Sequence, residues 1–205
     1  MASPVVNLAD FLSGDPQLKQ QFVQQLGKAY EEVGFVAVKN HGIPDDLIAE
    51  MYKQVQQFFS LPIDRKKQYE IPELAGQRGY TSFGREHAKG SDAPDLKEFY
   101  QHGQTVPDDD PVKAEYPDNV LIDEVPGFSE TFNKAYRAFE KSGKALLQAI
   151  ALYLGLDEHY FDEHVHNGNS ILRAIHYPPI TSEPKSAIRA EQHEDINLIT
   201  LLVGA

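Results

Sequence analysis

Helices lead and strands follow along this 205-residue chain, and that order predicts an α+β fold. Three observations carry the prediction. Apolar residues recur at three- and four-residue steps in three long segments, each bounded by residues that start or stop helices. The β-prone runs are short, and the two strongest come last, at 170–177 and 192–203. No internal repeat or low-complexity segment points to a solenoid or a linker.

The first long helix opens at Asp15-Pro16, an N-cap followed by a first-turn proline. It presents Leu18, Phe22, Leu26, Ala29, Tyr30 and Val33 on one face and stops at Gly34. Phe35-Val36-Ala37-Val38 reads as a short buried strand closed by an Asn40-His41-Gly42 turn. A second helix begins near Pro44, carries Leu47, Ile48, Met51, Val55, Phe58 and Phe59 inward, and ends at Leu61-Pro62. A polar helical stretch follows over 63–69. From Gly76 to Pro126 glycines, prolines and the acidic run Asp108-Asp109-Asp110 indicate loops, with Leu96–His102 as the best strand. The longest helix spans roughly 128–154, where Phe128, Phe132, Tyr136, Phe139, Leu146, Leu147, Ile150 and Leu154 form a stripe suited to lie across a sheet. A short helix near 157–165 leads to the strands 170–177 and 192–203, separated by a Pro-rich loop.

Composition narrows the function classes. With 19 Lys+Arg against 31 Asp+Glu the net charge is −12, which leaves little cationic surface for phosphates and argues against a nucleic-acid binder. No apolar run is long enough for a bilayer, and the first basic residue is Lys19, so the start lacks the pattern of a signal or transit peptide. The reading is of a soluble, cytoplasmic protein. The absence of Cys removes disulfides, thiolate ligands and thiol nucleophiles, leaving chemistry to His, carboxylates, Tyr or a metal. Leu198–Val203 is nearly all apolar, as in a strand buried on both faces. A domain seldom stops on such a strand, so the chain reads as the front part of a longer protein.

His193-Glu194-Asp195 precedes that last strand. In extended structure His193 and Asp195 point to one side and Glu194 to the other. A His and a carboxylate side by side form two-thirds of the facial triad that holds non-haem Fe(II) with open positions. The pair has a collinear context: Gly34–Ile43, Phe58–Pro62, Arg78-Gly79-Tyr80, Asp95–Phe99, and Leu172-Arg173-Ala174-Ile175-His176-Tyr177-Pro178-Pro179. Together these resemble the isopenicillin N synthase-like family of non-haem iron oxygenases, most of whose members use 2-oxoglutarate.

The resemblance implies an N-terminal helical section followed by a double-stranded β-helix (jelly roll), incomplete at the C-terminus of this chain. On that reading residues 1–125 form the N-terminal helical and mixed section, and 126–205 the long helix and first strands of the jelly-roll core. It implies that His193 and Asp195 are two iron ligands and that the Tyr177 hydroxyl contacts the carboxylate of co-substrate or substrate. The family's distal His and its carboxylate-gripping Arg-x-Ser match no residue of 1–205, so this stretch alone is expected to be inactive. Many 2-oxoglutarate users carry Asn where Ile175 stands here, while the Glu between the ligands and the following Leu-Ile-Thr look like isopenicillin N synthase itself.

The resulting expectation is an Fe(II) oxygenase of a small molecule, with O₂ as oxidant and 2-oxoglutarate decarboxylated to succinate. An isopenicillin N synthase-type oxidase without 2-oxoglutarate, and a non-catalytic binding module whose open strand another chain completes, are the alternatives. Arg78 and Arg173 are candidates for a substrate carboxylate. Among the other histidines, His41 reads as a hydrogen-bonded turn residue and His176 as a residue packed behind its strand. The group His159, Asp162, Glu163 and His166 reads as a solvated helix end rather than a metal site.

Overall fold

The computed structural model describes residues 3–85, 96–181, 195 and 197–203. They are mixed helix and strand, and contacts divide the chain into two compact units, Met1–Asp45 with Arg137–Gly168, and Asp46–Tyr136 with Asn169–Ala205.

In the first unit β1 (Val5–Asn7) runs parallel to β2 (Ala37–Lys39), with Val6 opposite Val38. Parallel neighbours need a crossover, and α1 (Leu8–Leu12) and α2 (Pro16–Glu32) supply it. Asp15 caps α2 as its sequence indicates, its carboxylate accepting from the amides of Gln17 at 2.8 Å and Leu18 at 3.3 Å. Gly34, with φ +88°, takes the left-handed conformation beyond the helix end that side chains resist. Phe22, Leu26 and Ala29 of α2 are buried, and Phe11 meets Phe22 with ring centroids 5.5 Å apart. The long helix α5 (Phe128–Tyr153) contributes its residues from Arg137 onward to this unit. There the Tyr153 ring lies so close to Gly27 that a Cβ on Gly27 would come within 2.2 Å of it. Lys19 pairs with Glu158 at 2.7 Å, and Ser142 donates its hydroxyl hydrogen to the carbonyl of His41. His41 Nδ1 also accepts from the Ile43 amide at 3.2 Å, the turn role its position indicates.

The second unit holds α3 (Asp45–Phe59) from Asp46 on, α4 (Ile63–Lys66), a three-stranded antiparallel sheet and α5 up to Tyr136. Its strands are β3 (Gly79–Thr81), β4 (Glu98–Gly103) and β5 (Ile171–His176), in the order β3-β4-β5. An aromatic cluster forms the core. The Phe58 ring lies 5.5–6.0 Å from the rings of Tyr69, Tyr80, Tyr100 and Phe128, in tilted or edge-on geometry that ring quadrupoles favour. Leu172 and Ala174 of β5 pack against the same cluster.

Three elements differ from expectation. The strand at 35–38 is shifted to Ala37–Lys39 and is not buried, with Phe35 58% exposed, because its sheet has two strands and its only partner is the three-residue β1. The helix near 157–165 contracts to α6 (Asp162–Val165), preceded by turns. The strand expected over 192–203 is not formed in its described part: residues 197–203 are irregular, and Leu198 and Leu202 are exposed. A strand exists through its ladder bonds, and among the described residues none pairs with this segment.

Candidate active site

The register of the sheet sorts its side chains onto two faces. Glu98 lies opposite His176, Tyr100 opposite Ala174 and His102 opposite Leu172, all on the face turned to the aromatic core. Phe99 opposite Ile175, and Gln101 opposite Arg173, belong to the other face, joined there by Thr81 of β3.

That second face borders a cavity of about 450 Å³, whose walls include Glu70, Thr81, Arg85, Phe99, Gln101 and Arg173. Arg173 donates its Nε hydrogen to Gln101 Oε1 at 2.9 Å, and its guanidinium lies 4.4 Å over the Phe99 ring. The hydrogen bond and the stacking fix the plane of the guanidinium fork, the geometry in which arginine reads carboxylates and other planar anions. Across the cavity wall Glu70 accepts from Arg85 at 2.9 Å and from the Ser82 amide and hydroxyl at 3.1 Å each. Burial alone would raise the Glu70 carboxyl, but the bonds from Ser82 and Arg85 outweigh it and hold it below the usual carboxylate range.

Arg78 occupies a different environment. It is fully buried, donating to Gln77 O at 2.8 Å and Asn169 Oδ1 at 3.1 Å. Its guanidinium fills the space over Gly103, where any Cβ would come within 2.0 Å of it. It is not among the cavity-lining residues, and its burial lowers its pKa from the usual arginine value.

Tyr177 follows the last residue of β5 and is half-buried. Asp195 is exposed, with Oδ2 accepting from Thr200 Oγ1 at 2.5 Å. His193 lies outside the described residues. Among the described residues no group of three His, Cys, Asp or Glu side chains comes together to hold a metal ion. The described donors by themselves, one exposed carboxylate engaged by Thr200, do not fit an iron. The His159–His166 segment behaves as a polar helix end: His159 Nδ1 lies 3.0 Å from Asp162 Oδ2, which also pairs with Lys144 at 3.0 Å.

A further cluster went unnoticed in the sequence. Behind the sheet the buried Lys66 Nζ reaches both carboxylate oxygens of buried Glu98, at 2.9 and 2.7 Å. Tyr80 donates its hydroxyl hydrogen to the same carboxylate, and His176 Nδ1 lies 2.8 Å from Glu98 Oε1. The signal was present. A charge at the head of a strand whose every residue is buried needs a partner, and β4 is buried throughout.

Residues 3–124 match the family model for the non-haem dioxygenase in morphine synthesis N-terminal region. The chain also superimposes, with a TM-score of 0.82 and 36% identity, on a solved 2OG-Fe(II) oxygenase family protein from Caulobacter crescentus. The chain belongs to the non-haem, 2-oxoglutarate- and Fe(II)-dependent oxygenase family. That alignment covers 96% of this chain and 62% of the Caulobacter protein. A second oxygenase structure, a full-length Neurospora crassa protein in complex with alpha-KG, matches with a TM-score of 0.78 and 29% identity over 94% of this chain and 61% of its own. Among curated sequences the proline hydroxylase buaE of Petromyces alliaceus is 33% identical over 96% of this chain and 62% of its own length. The chain thus spans about 62% of the length of the oxygenases it matches. No helix among the described residues is long and apolar enough to cross a membrane.

Proposed function

We propose that this protein is a non-haem Fe(II) oxygenase that oxidises a small molecule with O₂ while 2-oxoglutarate is decarboxylated to succinate. The observation that carries the reading is the near end-to-end likeness to an oxygenase solved with alpha-KG bound. Relatives bearing the name 2-oxoglutarate-dependent dioxygenase support the co-substrate over oxidase chemistry, despite Ile175 at the position discussed above. The family likeness also supports a double-stranded β-helix built on the β3-β4-β5 sheet, with residues 1–125 as the N-terminal section and 126–205 entering the core. An acidic chain without a membrane-crossing helix among its described residues is compatible with a cytoplasmic site of action.

In this proposal His193 and Asp195 are iron ligands, and bound iron with 2-oxoglutarate supplies the oxidising equivalent for a substrate C–H bond. The residues of this chain then have binding tasks. Tyr177 contacts a carboxylate of 2-oxoglutarate. Arg173, braced by Gln101 and Phe99, receives an anionic or planar polar group of the substrate in the cavity. Of the two arginines, Arg173 suits this task better, since Arg78 is enclosed over Gly103.

The test uses the protein as its source makes it, with Fe(II), O₂ and 2-oxoglutarate, and reads succinate together with anaerobic Fe(II) affinity. Fe(II)-dependent succinate formation, and weaker Fe(II) binding in both His193→Ala and Asp195→Ala, is the expected result. Iron affinity unchanged in both variants removes the iron assignment. Oxidation without succinate moves the protein to the oxidase class.

A further inference from the structure

We propose that Glu98 and His176 form a clamp on the far side of the sheet that positions Tyr177 for the co-substrate carboxylate. This rests on the reading of Tyr177 given above. The need for a clamp comes from the chain itself. His176 is the last paired residue of β5, and residues 178 and 179 are both proline. Proline has no amide hydrogen to give to a ladder, so backbone bonding cannot be continued through those two residues to hold Tyr177. Side chains must do it.

The side chain immediately before Tyr177 is tied in two directions. The His176 ring stacks on Phe59, with centroids 5.2 Å and planes 29° apart. Its Nδ1 meets Glu98 Oε1 at 2.8 Å, and since a carboxylate only accepts, the imidazole donates. Glu98 is in turn immobilised by Lys66 at 2.7 Å and by the Tyr80 hydroxyl, and Lys66 also donates to the carbonyl of Phe59 at 3.1 Å. The loop is closed: the same lysine that anchors the carboxylate anchors the backbone of the residue under the imidazole. Pleating carries the next side chain to the opposite face, which is the face of Arg173 and Ile175 and hence of the cavity. His176 and Glu98 touch neither substrate nor co-substrate in this arrangement. They are positioning residues.

The experiment compares His176→Phe, which keeps the stack and loses the hydrogen bond, with His176→Asn, whose side-chain amide can occupy the Nδ1 position. Hydrogen exchange at the amides of residues 175–177 reads the clamp directly, and calorimetric 2-oxoglutarate binding to the full-length protein reads its consequence. In His176→Phe exchange is expected to accelerate and 2-oxoglutarate affinity to fall about tenfold, the equivalent of one charge-assisted hydrogen bond. His176→Asn is expected to restore both to within about twofold. Unchanged exchange in His176→Phe overturns the clamp, whatever the co-substrate does. Faster exchange with unaltered 2-oxoglutarate affinity in both His176→Phe and Tyr177→Phe overturns instead the role of Tyr177. If His176→Phe proves poorly folded, Phe59→Leu removes the stack while keeping the hydrogen bond. It is expected to loosen the same amides, and no change there counts equally against the clamp.

Discussion

Replacing Lys66 by Met keeps the length of the side chain and deletes its charge, which isolates the value of the buried ion pair. In the native protein Lys66 Nζ lies 2.7 Å from Glu98 Oε2, with side chains only 8% and 6% exposed. At that separation and an effective dielectric of about 20, the attraction is about 6 kcal/mol. Desolvating each ion costs several kcal/mol and offsets most of it, so the intact pair contributes little net stability. Removing one partner is different, because a carboxylate then stays buried with only Tyr80 and His176 as donors. We expect Lys66→Met to destabilise by about 3 kcal/mol, the lower end of the range for a broken buried pair, because those two donors remain. With a urea slope of about 2 kcal/mol per molar, the unfolding midpoint falls by about 1.5 M. Adding Glu98→Gln to Lys66→Met removes the stranded charge and is expected to recover about half of the loss. The assay is urea unfolding at neutral pH followed by circular dichroism. A Lys66→Met midpoint within about 0.3 M of the parent would refute the reasoning, since it would mean that water or another cation compensates Glu98.

Three further outcomes follow from local geometry. Gly27→Ala puts a methyl group 2.2 Å from the Tyr153 ring and is expected to cost about 1–3 kcal/mol in thermal unfolding, although alanine is the better helix former. Asp15→Ala removes the acceptor for the Gln17 and Leu18 amides and is expected to cost about 1 kcal/mol by the same measurement. Acid destabilises the Glu98 cluster: burial raises the carboxyl, but bonds from Lys66, Tyr80 and His176 outweigh it and depress the pKa below the ordinary 4.5. A group depressed in the folded state contributes stability above its unfolded pKa and loses it as pH falls through the folded one. The stability profile below 4.5 is therefore expected to flatten in Glu98→Gln, and an identical acid slope in both proteins would count against that assignment.

The helices were the most legible part of the chain, because caps and apolar periodicity are local properties. Asp15-Pro16 and Gly34 bracket α2 where expected, and the Phe128 stripe runs through Tyr153 as α5. Strands were legible only where a partner exists. Ile171–His176 forms because β4 lies beside it, whereas Leu198–Val203 has the composition of a strand and no ladder among the described residues. The β1–β2 pairing was invisible for the same reason: three residues at Val5 have no pattern until Ala37–Lys39 is set beside them. Arg173 was legible as a candidate from its strand, but its braces Gln101 and Phe99 come from another strand more than seventy residues earlier. The sequence around Arg78 looked much the same as that around Arg173, and what separates them is Gly103, whose missing side chain makes room for a buried guanidinium.

The two polar faces of the β4–β5 pair also explain why a costly ionic cluster sits where hydrophobic residues would pack. A one-residue slip of β5 against β4 would carry Arg173 toward the Phe58 aromatic core and pull His176 away from Glu98. Both consequences strand a polar group in an apolar setting. We therefore expect the cluster to specify register more than stability. The test replaces it whole, with Lys66→Met, Tyr80→Phe, Glu98→Leu and His176→Leu in one protein. Global stability is expected to stay within about 1 kcal/mol of the parent or to rise, as when buried ion pairs elsewhere are exchanged for apolar groups. The amide resonances of residues 171–176, in contrast, are expected to double as a second pairing becomes populated. A single, undisturbed set of resonances would show that Leu172 and Ala174 fix the register by packing alone. The buried charges would then answer only to the placement of Tyr177.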